Sequence, residues 1–321
     1  MYFLTETLIS SVKRRTLAPT AQKTFEDSDI IELANEELGT TLVPDIMQVR
    51  EDFFLKSESI TLVGLVPSYN IPRRAIGDAL KEVFFVDNSG TRRQLSRIDI
   101  HEFPTEIRTE KEPRFYTMMG DKIRVLPTPS TSVSGSLEVW YFERPNDLVA
   151  TSQVTKITEI SSTDGETTLT VDTDQSGAWS TSQKFDLLSA KSPFELWKKD
   201  FTLSSIGSSS ITLPTSTFEN EAGIVTAEVG DYLSLARTCN IPMVPQEFHP
   251  ILAQMTAARL MEGLSHSEKL NAVNVKLAEM RKQAFSIISN RVENQTKHIN
   301  SPYSLVNYSG GFGVGGSTRG T

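Results

Sequence analysis

The sequence predicts an α+β fold in which helices from both chain ends form one bundle. An antiparallel β-rich region is inserted between them, and a flexible glycine-rich C-terminal tail follows. Apolar residues repeat at helical spacing near both ends, β-branched and aromatic segments alternate with turn signals between them, and glycine and serine crowd the last residues. These observations divide the chain into N-terminal helices at 1–56, a β-rich region at 57–148, a small acidic β-module at 149–235, C-terminal helices at 236–299 and a docking tail at 300–321.

Three short helices are predicted in the N-terminal segment. The first has an apolar stripe at a spacing of four residues, formed by Leu4, Leu8 and Val12. The second follows the break at LAPTAQ and is expected to end at Gly39, since glycine is the usual residue after a helix C-terminus. The third is expected to start near Pro44.

Strands are predicted through the middle of the chain. VFFVDNSGTRRQL indicates a hairpin with Asn88, Ser89 and Gly90 at its tip. YNIPRRAIGDAL interrupts the strands, and Pro72 favours a single helical turn there. Several short Ser- and Thr-rich strands follow, and between residues 150 and 235 twelve acidic residues stand against five lysines. The negative charge of the chain is therefore concentrated in this module.

The cleanest helical periodicity lies near the C-terminus, at Val273, Leu277, Met280 and Ala284. It predicts a long helix whose apolar stripe is buried against the N-terminal helices. The tail beyond it is too rich in glycine to form a core, yet it holds six apolar side chains. This combination is typical of a segment that folds on binding, with docking residues Tyr303, Leu305, Val306, Tyr308, Phe312 and Val314.

Composition narrows the classes of function. With a net charge of −8 and a pI near 5.2, the chain gains little from contacts to phosphates, so wrapping of nucleic acid is disfavoured. An acidic surface can still line a pore through which DNA slides. The single cysteine, Cys239, cannot form an internal disulfide, and neither a signal peptide nor an apolar run of about 18 residues is recognisable. We expect a protein made in a cytoplasm, or in a particle assembled there.

No set of residues indicates catalysis, a cofactor or a metal. The four histidines are far apart in the sequence, and GGFGVGG lacks the strand and helix that flank a phosphate-binding loop. DTDQSG at 172–177 resembles part of a calcium loop, but no glutamate follows at the required distance, so a solvated turn is favoured. Cys239 is expected to be buried and inert. We therefore predict no catalytic, cofactor-binding or metal-binding residue, and no enzyme.

Arginines cluster in the β-rich region, at Arg73, Arg74, Arg92 and Arg93. They can contact a DNA backbone, or pair with the acidic module of the same or a neighbouring subunit. The negative net charge favours the second interpretation. We predict these four residues as subunit-contact residues.

Several short sequence segments occur in a distinctive order along the chain. The most distinctive is YNIPRRA at 69–75, and the second is YFERP at 141–145. With the segments around them, from residue 14 to 299, they resemble structural proteins of tailed bacteriophages. The resemblance is to head-to-tail connectors or adaptors, including the tail tubular ring proteins of short-tailed phages. None of these segments is a catalytic signature.

The resemblance implies a virion structural protein of the neck or tail region, assembled in the host cytoplasm. It implies a helical bundle with β-structure between its halves, and a homo-oligomeric ring, commonly twelve-fold, that lies under the portal. Its implied partners are the portal protein, tail or further neck proteins, and transiting DNA bound without sequence specificity. It implies no cofactor and no membrane, and a C-terminal extension that docks onto the portal. The long strand-rich middle departs from small connectors of this type.

Two other functions remain open from the residues alone. The chain can be a capsid-attached or tail-attached module whose β-structure binds a partner or a glycan. It can also be a cell-wall hydrolase, although acidic pairs in Ser- and Thr-rich turns do not indicate the two carboxylates of a glycosidase cleft. A large ring, or assembly only on the portal, favours the connector, whereas a stable monomer that binds sugar favours the module.

Overall fold

The structure is a computed structural model, and it describes residues 3–16, 25–99, 109–110, 112–163, 165–215, 227–263 and 267–289. The predicted tail with its six docking residues lies outside the described residues. So do three of the four histidines, namely His101, His266 and His298.

The helices lie at the two ends of the chain, at α1 (Thr5–Thr16), α2 (Asp27–Glu37), α3 (Val43–Val49), α4 (His249–Gly263) and α5 (Ser267–Ile288). The third predicted helix is confirmed as α3. The predicted helix end at Gly39 is wrong, because a π-helical turn at Leu38–Leu42 joins α2 to α3. Leu38 and Leu42 are both buried there, so their burial keeps the chain helical through the glycine.

Strands occupy the middle of the chain. The first eleven are β1 (Leu55–Thr61), β2 (Ser68–Asn70), β3 (Ala75–Val86), β4 (Arg92–Gln94), β5 (Ser96–Arg97), β6 (Thr109–Glu110), β7 (Phe115–Met119), β8 (Lys122–Leu126), β9 (Thr128–Pro129), β10 (Ser136–Glu143) and β11 (Asp147–Leu148). The others are β12 (Thr155–Thr163), β13 (Glu166–Val171), β14 (Phe185–Leu188), β15 (Leu196–Phe201), β16 (Ser205–Ile206), β17 (Ser210–Pro214), β18 (Tyr232–Leu235) and β19 (Thr238–Cys239).

The strands form several sheets. Two four-stranded sheets have the orders β1-β10-β3-β4 and β2-β8-β7-β5, and a seven-stranded sheet has the order β15-β14-β18-β12-β13-β17-β16. Short parallel pairs join β11 to β19 and β6 to β9. The predicted hairpin between β3 and β4 is confirmed, with Gly90 at a φ of 81°. The Asp87 carboxylate accepts the backbone N–H groups of Ser89 and Thr91, both at 2.8 Å, and so holds the tip together.

The prediction of a helical bundle with an inserted β-region is wrong, because the protein is mostly β-structure in several sheets. The helices do pack together, with α1 and α2 against α4. Their core is nevertheless completed by residues from the strands, which are Phe142, Leu148, Leu188, Tyr232 and Cys239. A helix stripe that is covered in part by strands does not define a separate bundle.

The central helix is α4, which is buried on almost every side. Eleven of its residues are buried, including Gln254 and Thr256. By contrast, Val273, Leu277 and Met280 on α5 are only half-buried, so the predicted full burial of this stripe is wrong. The helix α5 packs mainly on α4 and also contacts α3, one of the N-terminal helices.

Two further apolar cores lie among the strands. One joins the two four-stranded sheets and includes Val83, Phe85, Ile123, Val125 and Val139. The other lies within the seven-stranded sheet and includes Ile157, Leu169, Phe185, Ile211 and Leu233. The residues that the structure describes thus form three apolar cores.

One buried histidine ties the N-terminus to the helix core. His249, at the start of α4, has no exposed surface. Its Nδ1 accepts the backbone N–H of Phe3 at 3.0 Å, and its Nε2 lies 3.2 Å from the carbonyl oxygen of Val244. Burial lowers the pKa of His249 to about 4, from an ordinary value of 6.5.

This lowered pKa predicts a loss of stability in mild acid. Between about pH 6.5 and pH 4 the unfolded chain binds a proton at His249 that the folded chain excludes, so stability is full above that window and falls as the pH drops through it. The expected loss is about 3 kcal/mol. Urea denaturation of the wild type and of His249→Gln at pH 7 and pH 4.5 measures it. Equal pH dependence in the two proteins would contradict the assignment.

Candidate functional site: a basic groove over a buried arginine network

Arg74 is placed by the turn that precedes β3. The backbone N–H of Ala75 donates to the carbonyl oxygen of Pro72 at 2.9 Å and closes this turn. The backbone N–H of Arg144, just after β10, donates to the carbonyl oxygen of Arg74 at 2.7 Å. These bonds turn the Arg74 side chain inward, where 6% of the residue remains exposed.

The guanidinium group of Arg74 contacts three side chains of the same chain. Its Nη2 donates to Oδ1 of Asp186 at 2.7 Å, and its Nε donates to Oδ2 of Asp200 at 3.0 Å. Its Nη1 donates to Oδ1 of Asn146 at 3.0 Å. The planar fork of arginine suits such a set of acceptors. We call Arg74, Asn146, Asp186 and Asp200 the Arg74 network.

Asp186 is the centre of this network and has no exposed surface. Besides Arg74, its carboxylate accepts Nδ2 of Asn146 at 2.9 Å. It also accepts the backbone N–H groups of Arg237 and Asp200, at 2.8 and 3.0 Å. A buried carboxylate is tolerated only when it is paired and its oxygens are hydrogen-bonded, and Asp186 meets both conditions.

The contacts of the network stabilise the charged forms of Arg74 and Asp200. Burial alone lowers the pKa of Arg74, but the hydrogen bonds and charges of Asp200 and Asp186 together raise it above its usual value. Burial raises the pKa of Asp200, and the opposing hydrogen bond and charge of Arg74 bring it below its usual value. Arg74 is therefore charged throughout the range in which the protein folds.

The network connects three parts of the fold. Arg74 precedes β3 of a four-stranded sheet, Asn146 lies between β10 and β11, and Asp186 and Asp200 lie on β14 and β15 of the acidic module. The Nδ2 of Asn146 also donates to the carbonyl oxygen of Thr238 at 3.1 Å. Polar contacts across all three parts fix the orientation of the module against the rest of the protein.

A groove opens over this network, lined by residues of β1, β2 and β15 together with Val63, Val66 and Arg237. Each of these strands ends the order of its sheet, so one side of each lacks a strand partner among the described residues. Besides Arg74, cationic side chains line it at Arg73, Lys184, Lys198, Lys199 and Arg237, whereas its carboxylates are Glu58 and Asp200. We call this surface the basic groove.

Three cations of the basic groove are free for a partner. Within the described part of the chain, no ion pair engages Arg73, Lys184 or Lys198, whereas Lys199 pairs with Glu143 and the charge of Arg237 acts on Asp200. Apolar side chains stand beside them, with Trp197 39% and Val63 55% exposed. Open strand edges, cations and apolar groups together form a surface suited to another protein chain.

The other two predicted contact arginines lie on β4, away from the groove lining. The guanidinium of Arg92 lies 3.9 Å from the ring centre of Phe84 and pairs with Glu138 at 2.8 Å. Arg93 pairs with Glu112 at 3.1 Å. The structure describes a single chain, so subunit contacts by Arg73, Arg74, Arg92 and Arg93 stay a prediction. Arg74 itself pairs with the acidic module of the same chain.

Sequence reasoning missed the convergence of Lys184, Lys198 and Arg237. A count of charges made residues 150–235 an acidic module and hid the lysines that gather at one of its edges. The adjacent pair Lys198-Lys199 was the available signal. Their meeting with Arg73 and Arg74 depends on the tertiary contact between β15 and the turn before β3.

The structure also describes the carboxylates of the 172–177 segment and Cys239, which were considered for metal binding and catalysis. In the described ranges no group of three His, Cys, Asp or Glu residues is placed to hold a metal ion. Asp174 accepts the N–H and hydroxyl of Ser176 within its own turn, whereas Asp172 accepts the backbone N–H of Lys156 on β12. Cys239 is buried as predicted, and burial raises the pKa of its thiol.

The protein is thus β-rich, with a buried charged contact between its parts and an open basic groove. Residues 6–182 match the model of the family described as SU10 adaptor protein. This match spans more than half of the 321 residues, so the chain belongs to the SU10 adaptor protein family. Membership confirms the resemblance to phage head-to-tail adaptors and gives the protein a structural role in the virion.

No curated protein matches the sequence. Among the described residues, no helix is both long and apolar enough to span a bilayer. The family match includes Arg74 and Asn146 and ends before Asp186, so it covers two of the four residues of the Arg74 network.

The network predicts a large effect of one substitution. Arg74→Met leaves the Asp186 charge buried and unpaired, so the free energy of unfolding should fall by about 3–5 kcal/mol. The matched control Arg73→Met, at an exposed neighbour, should change it by about 0.5 kcal/mol or less. Adding Asp186→Asn to Arg74→Met should recover part of the loss, because no charge then stays buried. Urea denaturation measures all three, and equal losses in the two single variants would contradict the network's role.

Proposed function

We propose that the protein assembles into a head-to-tail connector ring that binds the portal protein, extends the DNA channel and docks the tail. The observation that carries this proposal is the family match over residues 6–182. A ring is the symmetric outcome when one surface of a subunit binds a different surface of the next and the rotation closes. The connectors that the sequence resembles are commonly twelve-fold.

The internal architecture suits such a subunit. A ring under load from packaged DNA needs subunits whose parts keep their relative orientation. In this chain the helix core includes strand residues, and the Arg74 network fixes the acidic module against the neighbouring sheets. Both contacts oppose internal hinge motion.

Charge supports a role in passing DNA without holding it. The net charge is −8, and acidic side chains of the module remain exposed at Glu159 and Glu166, whereas exposed Glu228 pairs with Lys191. Such carboxylates, facing a channel, would repel the phosphate backbone. Asp186 and Asp231 are buried and do not take part.

The proposal predicts assembly on the portal. Full-length protein mixed with purified portal protein should co-sediment as a large complex, and multi-angle light scattering should give the mass of a closed multimer. Binding should not require any added metal or cofactor. A stable monomer that does not bind portal protein would contradict the connector proposal. Binding of that monomer to cell-surface glycans would favour the capsid-attached or tail-attached module instead.

A second prediction concerns the tail. Deletion of residues 301–321 should weaken attachment to the portal, since apolar side chains among glycines are typical of a segment that folds on binding. A full-length control replaces Tyr303, Leu305, Val306, Tyr308, Phe312 and Val314 with serine. Both variants should lose co-sedimentation to a similar extent while the remaining chain stays folded. Undiminished attachment of the deletion variant would remove the docking role.

A further inference from the structure

The basic groove has a counterpart of opposite charge on the same chain. Along α2, Ser28, Glu32 and Glu36 follow one another at a spacing of four residues and are exposed, so they lie on one side of the helix. Glu6 of α1 and Asp147 of β11 line the surface beside them. We call Glu6, Glu32, Glu36 and Asp147 the acidic face.

The acidic face is uncompensated within the chain. No ion pair between described residues engages any of its four carboxylates, although Asp27 nearby pairs with Lys13. The basic groove presents three free cations in the same way, at Arg73, Lys184 and Lys198. Each surface therefore carries a local excess of charge that a partner of opposite sign would neutralise.

We propose that the basic groove of one copy receives the acidic face of α2 from a second copy. The charges agree, because in this contact the cations of the basic groove lie against the carboxylates of the acidic face. The two surfaces are formed by different elements, so the contact is heterologous and can repeat from copy to copy. This inference deepens the proposed ring and rests on it.

A nucleic acid is the competing occupant of a basic groove. Two observations favour a protein chain. The cations share the groove with exposed Trp197 and Val63 and with open strand edges, which are features of protein recognition. The chain as a whole carries a net charge of −8, which opposes binding to phosphates.

Charge reversal tests the contact directly. One variant, Lys184→Glu with Lys198→Glu, reverses the basic groove, and another, Glu32→Lys with Glu36→Lys, reverses the acidic face. Each alone should self-associate at least about tenfold more weakly than wild type in sedimentation velocity, because like charges then meet at every contact. An equimolar mixture should regain assembly, since each variant offers the other the charge that its own partner surface lacks.

Matched controls change net charge by the same amount outside both surfaces. Lys122→Glu with Lys282→Glu matches the first variant, and Glu159→Lys with Glu166→Lys matches the second. Both controls should assemble as wild type does, and circular dichroism should show that all variants are folded. Self-association of the wild type should weaken as salt rises.

Three outcomes would overturn the contact. These are wild-type assembly of either reversed variant, a mixture that assembles no better than its parts, and a groove variant that loses only its binding to a DNA duplex. In each case wild-type ring formation on the portal still leaves the proposed connector intact. A wild-type chain that never associates, alone or with portal protein, removes both the contact and the ring.

Discussion

The buried pairing of Arg74 with Asp186 is the constraint on which the arrangement of the protein depends. Asp186 has no exposed surface, so its charge requires a close cation and full hydrogen bonding. Arg74 supplies the cation only while the turn before β3 lies against β14. Loss of one partner of such a pair costs a large share of the roughly 5–15 kcal/mol by which a domain is stable. Together with the helix core, which includes Leu188 and Tyr232 of the acidic module, this polar contact holds the module against the rest of the protein.

The position of the groove follows from that contact. When Arg74 reaches Asp186 and Asp200, the edges of β1 and β2 lie opposite the edge of β15. Arg73, next in sequence to Arg74, then lines the same groove as Lys184 and Lys198. A contact that stabilises the subunit thereby also creates a surface of concentrated positive charge. In a ring subunit, internal stability and external binding would then depend on the same residues.

Local features of the fold could be predicted from the sequence, whereas its global class could not. The stripe at Leu8 and Val12 and the hairpin at Gly90 follow from spacing and turn chemistry, which act over a few residues. The prediction of a helical bundle was wrong because periodicity shows that a helix has an apolar side but does not show which residues cover that side. In the protein, Phe142 and Tyr232 from strands cover part of that side. The apolar character of α4 on nearly all sides was the signal of a buried helix.

The contacts of the charged residues, like the fold, could be predicted only in part. A pairing between arginines and the acidic module was one of the predicted alternatives, and Arg74 makes it within one chain. Tertiary contacts decide which arginine pairs and where the lysines of the acidic module gather. Such contacts join residues more than a hundred positions apart in sequence, such as Arg74 and Asp186.

We propose that the chain is a ring subunit of the neck. Electron cryomicroscopy of the neck in intact virions tests it most directly. We expect a closed ring of this chain between portal and tail, with the basic groove of each copy against α2 of the next. Location of the chain on the capsid surface, or as isolated copies on the tail, would contradict it.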